Sequence, residues 1–331
     1  MSSGRSRGEV AVLGAGVAGL TAAAALQARD YTVTVYERGD QVGREACSWW
    51  AGGMLAPYCE AATAEPEVLS QGLPAADWWS AHGAEVWRGG TLVLAQARDR
   101  AELESFALRS EGHQWLDGAG VAALEPDLAG RAQRGLWYPD EAHVDPRQAL
   151  PALARWLAGR GVRFELGQTV DGGALPDACI VDCRGLAARE DLPGLRGVRG
   201  EMILIRSRDL RLQRPIRLLH PRTPLYLIPR SDGLIMLGAT SVESDHGGPV
   251  TVRSAMELLG AAMCLHPALG EAEIVEFGSG VRPAFAGNMP RLIRQGRITY
   301  FNGLYRHGYL LSPWYAEQLA CQLGDAQGVV R

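Results

Sequence analysis

The chain has 331 residues, 47% of them hydrophobic, with 41 glycines and a formal net charge of −4, a length that suits about two domains of ordinary size. The acidic balance leaves no excess of positive charge for phosphate backbones or anionic lipid, which argues against nucleic acid and membrane surfaces as partners. All 33 basic residues are Arg, and the lack of Lys excludes P-loop phosphate binding, protein-kinase chemistry and cofactors held as a Schiff base.

In chain order, Glu9 to Leu13 reads as a short buried strand running into G-A-G-V-A-G at Gly14 to Gly19. Leu20 to Arg29 is Ala-rich without a breaker and reads as a helix, and Thr32 to Tyr36 as the next strand, so a βαβ unit opens the chain. Arg44 to Pro57 is irregular. Glu65 to Trp79 has helical apolar spacing, Gly90 to Ala95 reads as a strand, Arg100 to Gly112 as a helix, and Gly118 to Pro126 as a short helix ended by Pro. Asp145-Pro146 is a helix start, Asp as cap and Pro at the first helical position, leading through Gly161.

Arg163 to Leu166 and Ala178 to Cys183 read as further strands of the first sheet, whereas Met202 to Ile205, Leu225 to Ile228 and Leu234 to Leu237 alternate as half-exposed antiparallel strands should. Ser254 to Met263 reads as a helix, Ile298 to Asn302 as a last buried strand, and Pro313 to Leu323 as the C-terminal helix. The expected fold is α/β with an α+β second domain. Residues 1–88, 142–198 and 280–331 form a discontinuous Rossmann-type nucleotide domain, and residues 89–141 and 199–279 an inserted antiparallel-sheet substrate domain.

The six cysteines form no C-x-x-C pair and no zinc spacing, which points to free thiols, no metal and a reducing, cytoplasmic setting. The apolar run Val10 to Leu26 is broken by Gly14, Gly16 and Gly19 and does not read as a membrane anchor.

The glycine motif follows a strand, opens a helix, and is followed 18 residues on by Glu37 at the end of the next strand. In that setting Gly14 makes the tight turn, Gly16 admits a pyrophosphate to the backbone, Gly19 lets helix and strand pack, and Glu37 accepts from ribose hydroxyls. These residues predict a dinucleotide and leave FAD or NAD open.

Further segments carry a resemblance over nearly the whole chain: V-L-G-A-G-V-A-G-L at Val12 to Leu20, V-Y-E-R at Val35 to Arg38, S-W-W-A-G-G-M-L-A-P at Ser48 to Pro57, Y-L-I-P-R at Tyr226 to Arg230, L-G-A-T at Leu237 to Thr240, G-V-R-P at Gly280 to Pro283, and N-G-L-Y-R-H-G-Y-L-L-S-P at Asn302 to Pro313. With these the chain resembles the FAD-dependent amine oxidases of the D-amino-acid oxidase superfamily, and most of all the glycine oxidases of the thiamine thiazole pathway.

The resemblance implies an FAD site made of Gly14, Ala15, Gly16, Val17, Ala18 and Gly19, then Glu37 and Arg38. Ala51, Gly52, Gly53, Met54 and Leu55 would run beside the flavin ring, Val170 would pack on the adenine, and Gly185 would lie near the phosphates or adenosine. Arg306, His307, Gly308, Tyr309, Leu310 and Leu311 would form the turn whose N–H groups face the flavin pyrimidine, where a helix N-terminus stabilises negative charge. Arg282 and Tyr226 would hold the substrate carboxylate, with Arg306 and Met54 in the pocket; taken alone, Arg282 reads as a surface or ion-paired residue and Tyr226 as core. His307 has no metal spacing or Ser/Asp partner and reads as structural, and the Trp49-Trp50 pair reads as core or ring lining.

Also implied by the resemblance are hydride transfer from a small amino acid to FAD without a general base, dioxygen as electron acceptor, hydrogen peroxide as product, and a thiazole synthase downstream. Homo-oligomerisation stays open. Without Lys, and with Cys264 and Cys321 outside any matching motif, the FAD is expected to be non-covalent; Ser241 stands where bacillary glycine oxidases have Met. The alternatives are a D-amino-acid or secondary-amine oxidase or dehydrogenase, an NAD-dependent dehydrogenase, and a non-catalytic flavin-binding module.

Overall fold

The computed structural model describes residues 6–170, 175, 179–220 and 222–328; Ala178, at the start of one expected strand, lies outside them. The opening strand Glu9–Leu13 is flanked in parallel by Thr32–Glu37 on one side and Cys179–Asp182 on the other. Arg163–Leu166 adds in parallel beyond Thr32–Glu37, while Ile298–Asn302 and then the antiparallel Arg291–Gln295 complete a six-stranded sheet. Its central strand is apolar on both faces because both are covered, as parallel strands require.

The Ala-rich helix Val17–Gln27 is buried from Gly19 through Leu26, between that sheet and the C-terminal helix Gly308–Gly328. Small side chains on all faces let three layers approach. The Pro146–Ala158 helix begins as the sequence predicts, the Asp145 carboxylate accepting the Arg147 N–H at 3.0 Å. The C-terminal helix begins at Gly308, five residues before the expected Pro313. Pro313 cannot donate to the Tyr309 carbonyl one turn back, and the Trp79 indole N–H does so instead at 2.8 Å.

A second sheet runs in the order Val242–Glu243, Arg196–Arg206, Leu234–Gly238, Leu225–Pro229, Ile216–Leu219, Thr91–Ala95, Arg134–Tyr138 and Gln114–Asp117, with Glu273–Ala284 paired to Arg196–Arg206. Gln114–Asp117, Arg134–Tyr138, Ile216–Leu219, Arg291–Gln295 and the twelve-residue Glu273–Ala284 are strands beyond those the sequence predicts. The expected helix over Glu65 to Trp79 is two, Glu67–Gly72 and Ala75–Ala81, interrupted at Pro74. The three strands expected to be half-exposed are instead mostly buried: Met202 to Ile205 throughout, and Leu225 to Ile228 and Leu234 to Leu237 at every residue but Tyr226 and Leu234. Ile203, Ile205 and Leu237 pack on the helix Val252–Leu265, whereas Met202, Leu204, Ile228 and Met236 pack with Trp50, Met54 and Tyr226 on the opposite face, toward the first sheet. No helix among the described residues is long and apolar enough to cross a membrane.

Candidate active site

At the fingerprint turn Gly14 has φ +97°, and a Cβ there would stand 3.0 Å from the Cys183 carbonyl oxygen; a Cβ on Gly19 would fall 1.8 Å from the Gly14 oxygen. Only glycine permits both contacts. The helix that follows starts at Gly16 with no side-chain cap at that residue and no acid in its first turn, so its N-terminus keeps its positive end for an anion. Glu37 is buried, with Oε2 accepting the Ala15 N–H at 2.7 Å and Oε1 the Gly39 N–H at 3.1 Å. Gly185 (φ +60°) follows the Cys179–Asp182 strand, and Val170 packs against the cluster of Ala11, Leu13 and Ile180. Arg38 points outward into an exposed pair with Glu45. A glycine turn, a helix start with no acid in its first turn and a buried acid at the next strand's end are the donor and acceptor set of a dinucleotide cradle, and they fit FAD.

From this turn the Ser48 hydroxyl accepts the Val17 N–H at 3.3 Å, and the Tyr309 hydroxyl donates to the Ser48 carbonyl at 3.0 Å, tying the Cys47–Trp50 turn to the start of the last helix. The adjoining loop Ala51 to Leu55 has no room for side chains at its glycines. A Cβ on Gly52 would meet Ile228 at 2.6 Å, and one on Gly53 (φ +70°) would meet the Val144 oxygen at 2.1 Å. Arg230, whose pKa burial lowers to about 10, braces this loop from behind, donating to the Gly52 carbonyl at 2.8 Å and that of Val144 at 3.3 Å.

Between loop and second sheet lies a cavity of about 170 Å³, walled by Trp50 to Met54, Ile228 and Met236 and faced by Tyr226, Arg282, Arg306, His307, Tyr309 and Leu310. Arg282 reaches it from the Glu273–Ala284 strand across the backbone of Gly200, where a Cβ would stand 2.1 Å from its Nη2. Its Nη1 donates to the Thr240 carbonyl at 3.1 Å, and it pairs with no carboxylate among the described residues. Burial pulls its pKa below the usual guanidinium value. Ser241 lines the mouth, its hydroxyl 3.2 Å from that of Tyr305.

The same cavity holds a second charged group, one that no sequence motif marks. Glu60, in the short helix Pro57–Ala61, is buried; Oε1 accepts from the Tyr226 hydroxyl at 2.9 Å and from Arg217 at 3.3 Å, while Oε2 lies 3.0 Å from Arg306 Nε and 3.5 Å from His307 Nδ1. Burial would raise the Glu60 carboxyl, but Arg306 and Arg217 override it and hold it down to about 2. Burial likewise drives His307 down to about 4, leaving it neutral at pH 7. Arg217 also donates to the Tyr226 hydroxyl at 3.0 Å and to the Cys59 carbonyl at 2.9 Å. The signal for Arg217 is the run Ile216-Arg217-Leu218, an Arg set between apolar residues of a strand; it is buried with them and faces Tyr226 across the sheet. Glu60 had none beyond lying five residues past the loop.

The sequence model of the FAD dependent oxidoreductases, DAO, matches residues 9–322. The chain belongs to this family. The DAO-family chain is 52% identical to a thiamine biosynthesis oxidoreductase, ThiO, of Rhizobium etli, across 96% of its own length and 97% of the relative's. It is 30% identical to the bifunctional ThiO/ThiG protein of Synechocystis, covering 92% of this chain and 50% of that protein. The crystal structure of glycine oxidase from Geobacillus kaustophilus matches it with a TM-score of 0.78 at 25% identity, covering 96% of this chain and 94% of that one. As a DAO-family oxidoreductase the enzyme uses FAD, and the NAD alternative is set aside.

Proposed function

We propose that this flavoenzyme oxidises glycine and small amines such as sarcosine and D-alanine. For glycine, dioxygen and water would yield glyoxylate, ammonia and hydrogen peroxide through the imine. The carrying observation is Arg282, a guanidinium without a carboxylate partner among the described residues, in a small cavity beside the Ala51 to Leu55 loop; the kinship with ThiO and glycine oxidase supports the choice of substrate.

Bound FAD supplies a two-electron acceptor. We assign its hold to the Gly14 to Gly19 turn with Glu37 and Arg38, Val170, Gly185, the Ala51 to Leu55 loop and the Arg306 to Leu311 turn, and its domain to residues 1–88, 142–198 and 280–331. Arg282 binds the substrate carboxylate through two parallel hydrogen bonds and fixes the Cα–H in one direction. Trp50, Met54, Ile228 and Met236 wall the cavity with apolar surface, excluding water and bulky side chains. Tyr226 shapes the pocket while its hydroxyl stays engaged with Glu60 and Arg217. Neither Glu60 at about 2 nor His307 at about 4 takes up a proton at neutral pH, which suits a reaction whose amine arrives neutral and needs no general base.

The fused ThiO/ThiG relative supports handing the imine to a thiazole-forming partner. The test is the yield of peroxide, ammonia and glyoxylate from glycine in air, expected at one to one to one. FAD-loaded protein that forms none of them from glycine, sarcosine or D-alanine defeats the proposal.

A further inference from the structure

We propose that Glu60 confines this pocket to substrates with one carboxylate, acting as a built-in carboxylate that occupies the Arg217, Arg306 and Tyr226 cluster and repels a second anionic group. The inference rests on the reading of the cavity as an amino-acid site. Two kinds of guanidinium face that space. Among the described residues Arg282 has only a neutral carbonyl as partner, so one anion can be added to it. Arg217 and Arg306 already share Glu60, and the second Arg306 contact is the Thr63 hydroxyl at 2.7 Å.

Around Glu60 the setting is that of a bound carboxylate: one oxygen accepts from the Tyr226 hydroxyl and Arg217, and the other is ion-paired with Arg306 at 3.0 Å, the neutral His307 lying 3.5 Å away. The carboxylate lines the cavity and is set by a backbone helix directly after the glycine loop. A second carboxylate that reached this cluster would find Arg217 and Arg306 already engaged by Glu60 and would meet the Glu60 charge itself, so it gains no free guanidinium there. Selectivity by repulsion is a general device for rejecting a close analogue. Removing the Glu60 side chain leaves two guanidinium groups and a phenol facing the vacated volume, which is a receptor for the carboxylate it replaced.

The experiment uses the purified FAD-loaded enzyme and calorimetric binding of acetate, malonate and succinate, with D-alanine and D-aspartate compared as substrates. Wild type is expected to bind acetate at least tenfold more tightly than either dicarboxylate. Glu60→Ala is expected to shift that ratio, and the kcat/KM ratio of D-aspartate to D-alanine, at least tenfold toward the dicarboxylates. Glu60→Gln keeps the volume and removes the charge, so its binding ratio moves at least threefold; it carries the test if the Ala variant does not fold. A binding ratio unchanged within threefold in a folded, FAD-loaded variant overturns the proposal. Wild type that discriminates through Glu60 but fails to oxidise glycine would defeat the substrate assignment and leave this role standing.

Discussion

Arg282→Ala separates a substrate-binding guanidinium from a structural one. Arg282 gives one hydrogen bond, to the Thr240 carbonyl, and no ion pair among the described residues, so its loss orphans a single neutral acceptor and costs about 1–3 kcal/mol of stability or less. If the same side chain holds a substrate carboxylate by two charge-assisted bonds in a desolvated cavity, truncation removes about 3–5 kcal/mol from transition-state binding, or about 10²–10⁴-fold in kcat/KM. Bound FAD should be unchanged, and Arg282→Lys should restore only part of the loss, because a point charge cannot reproduce the planar fork. Steady-state kinetics on glycine with flavin content for each variant decide the matter. A kcat/KM within about threefold of wild type in Arg282→Ala would refute the reasoning and move the carboxylate to Arg306.

Gly200→Ala should copy this defect from the neighbouring strand, since its Cβ would stand 2.1 Å from Arg282 Nη2; KM for glycine should rise at least about tenfold while FAD is retained, and an unchanged KM would show that Arg282 has another route into the cavity. Stopped-flow reaction with D-alanine and not with L-alanine is expected from a carboxylate pinned on one side, and equal rates for the two would remove that geometry. Glu60, depressed from 4.5 to about 2, stabilises the fold fully above pH 4.5 and loses that contribution as pH falls toward 2; the Glu60→Gln deficit in urea midpoint should be present at pH 7 and shrink across that window. Glu141 is the opposite case, raised from 4.5 to about 7 chiefly by burial. Its ionisation cost is full above pH 7 and absent below 4.5, so Glu141→Gln should stabilise at pH 8 and lose the gain by pH 4.5; gains that grow on acidification would contradict the assignment.

The opening βαβ unit was legible in the sequence because each level agreed: an apolar run, a glycine turn, an Ala-rich helix and a second strand ending in an acid. Asp145-Pro146 was legible for the same reason. The Glu273–Ala284 strand that carries Arg282 was not, since Gly278, Gly280 and Pro283 argue locally against a strand. Their reason is tertiary: side chains at the two glycines would collide with Trp50 and Cys47, both from the turn beside the cavity. Arg282 itself was found by resemblance, whereas Gly200, which makes its path possible, acquires meaning only across the register of two strands. Glu60 and Arg230 carry no local mark of their role, because nothing nearby in sequence records that their partners arrive from distant segments. The C-terminal helix was begun too late since Pro313 looks like a start; the indole that makes it tolerable comes from Trp79, more than 200 residues earlier.

The central claim, a flavoenzyme that takes electrons from glycine held by Arg282, is tested most directly by anaerobic addition of glycine to the purified yellow protein. Loss of the visible flavin absorbance, saturating with glycine and abolished or greatly slowed in Arg282→Ala, is the predicted result. A spectrum that glycine, sarcosine and D-alanine all leave unchanged would contradict it.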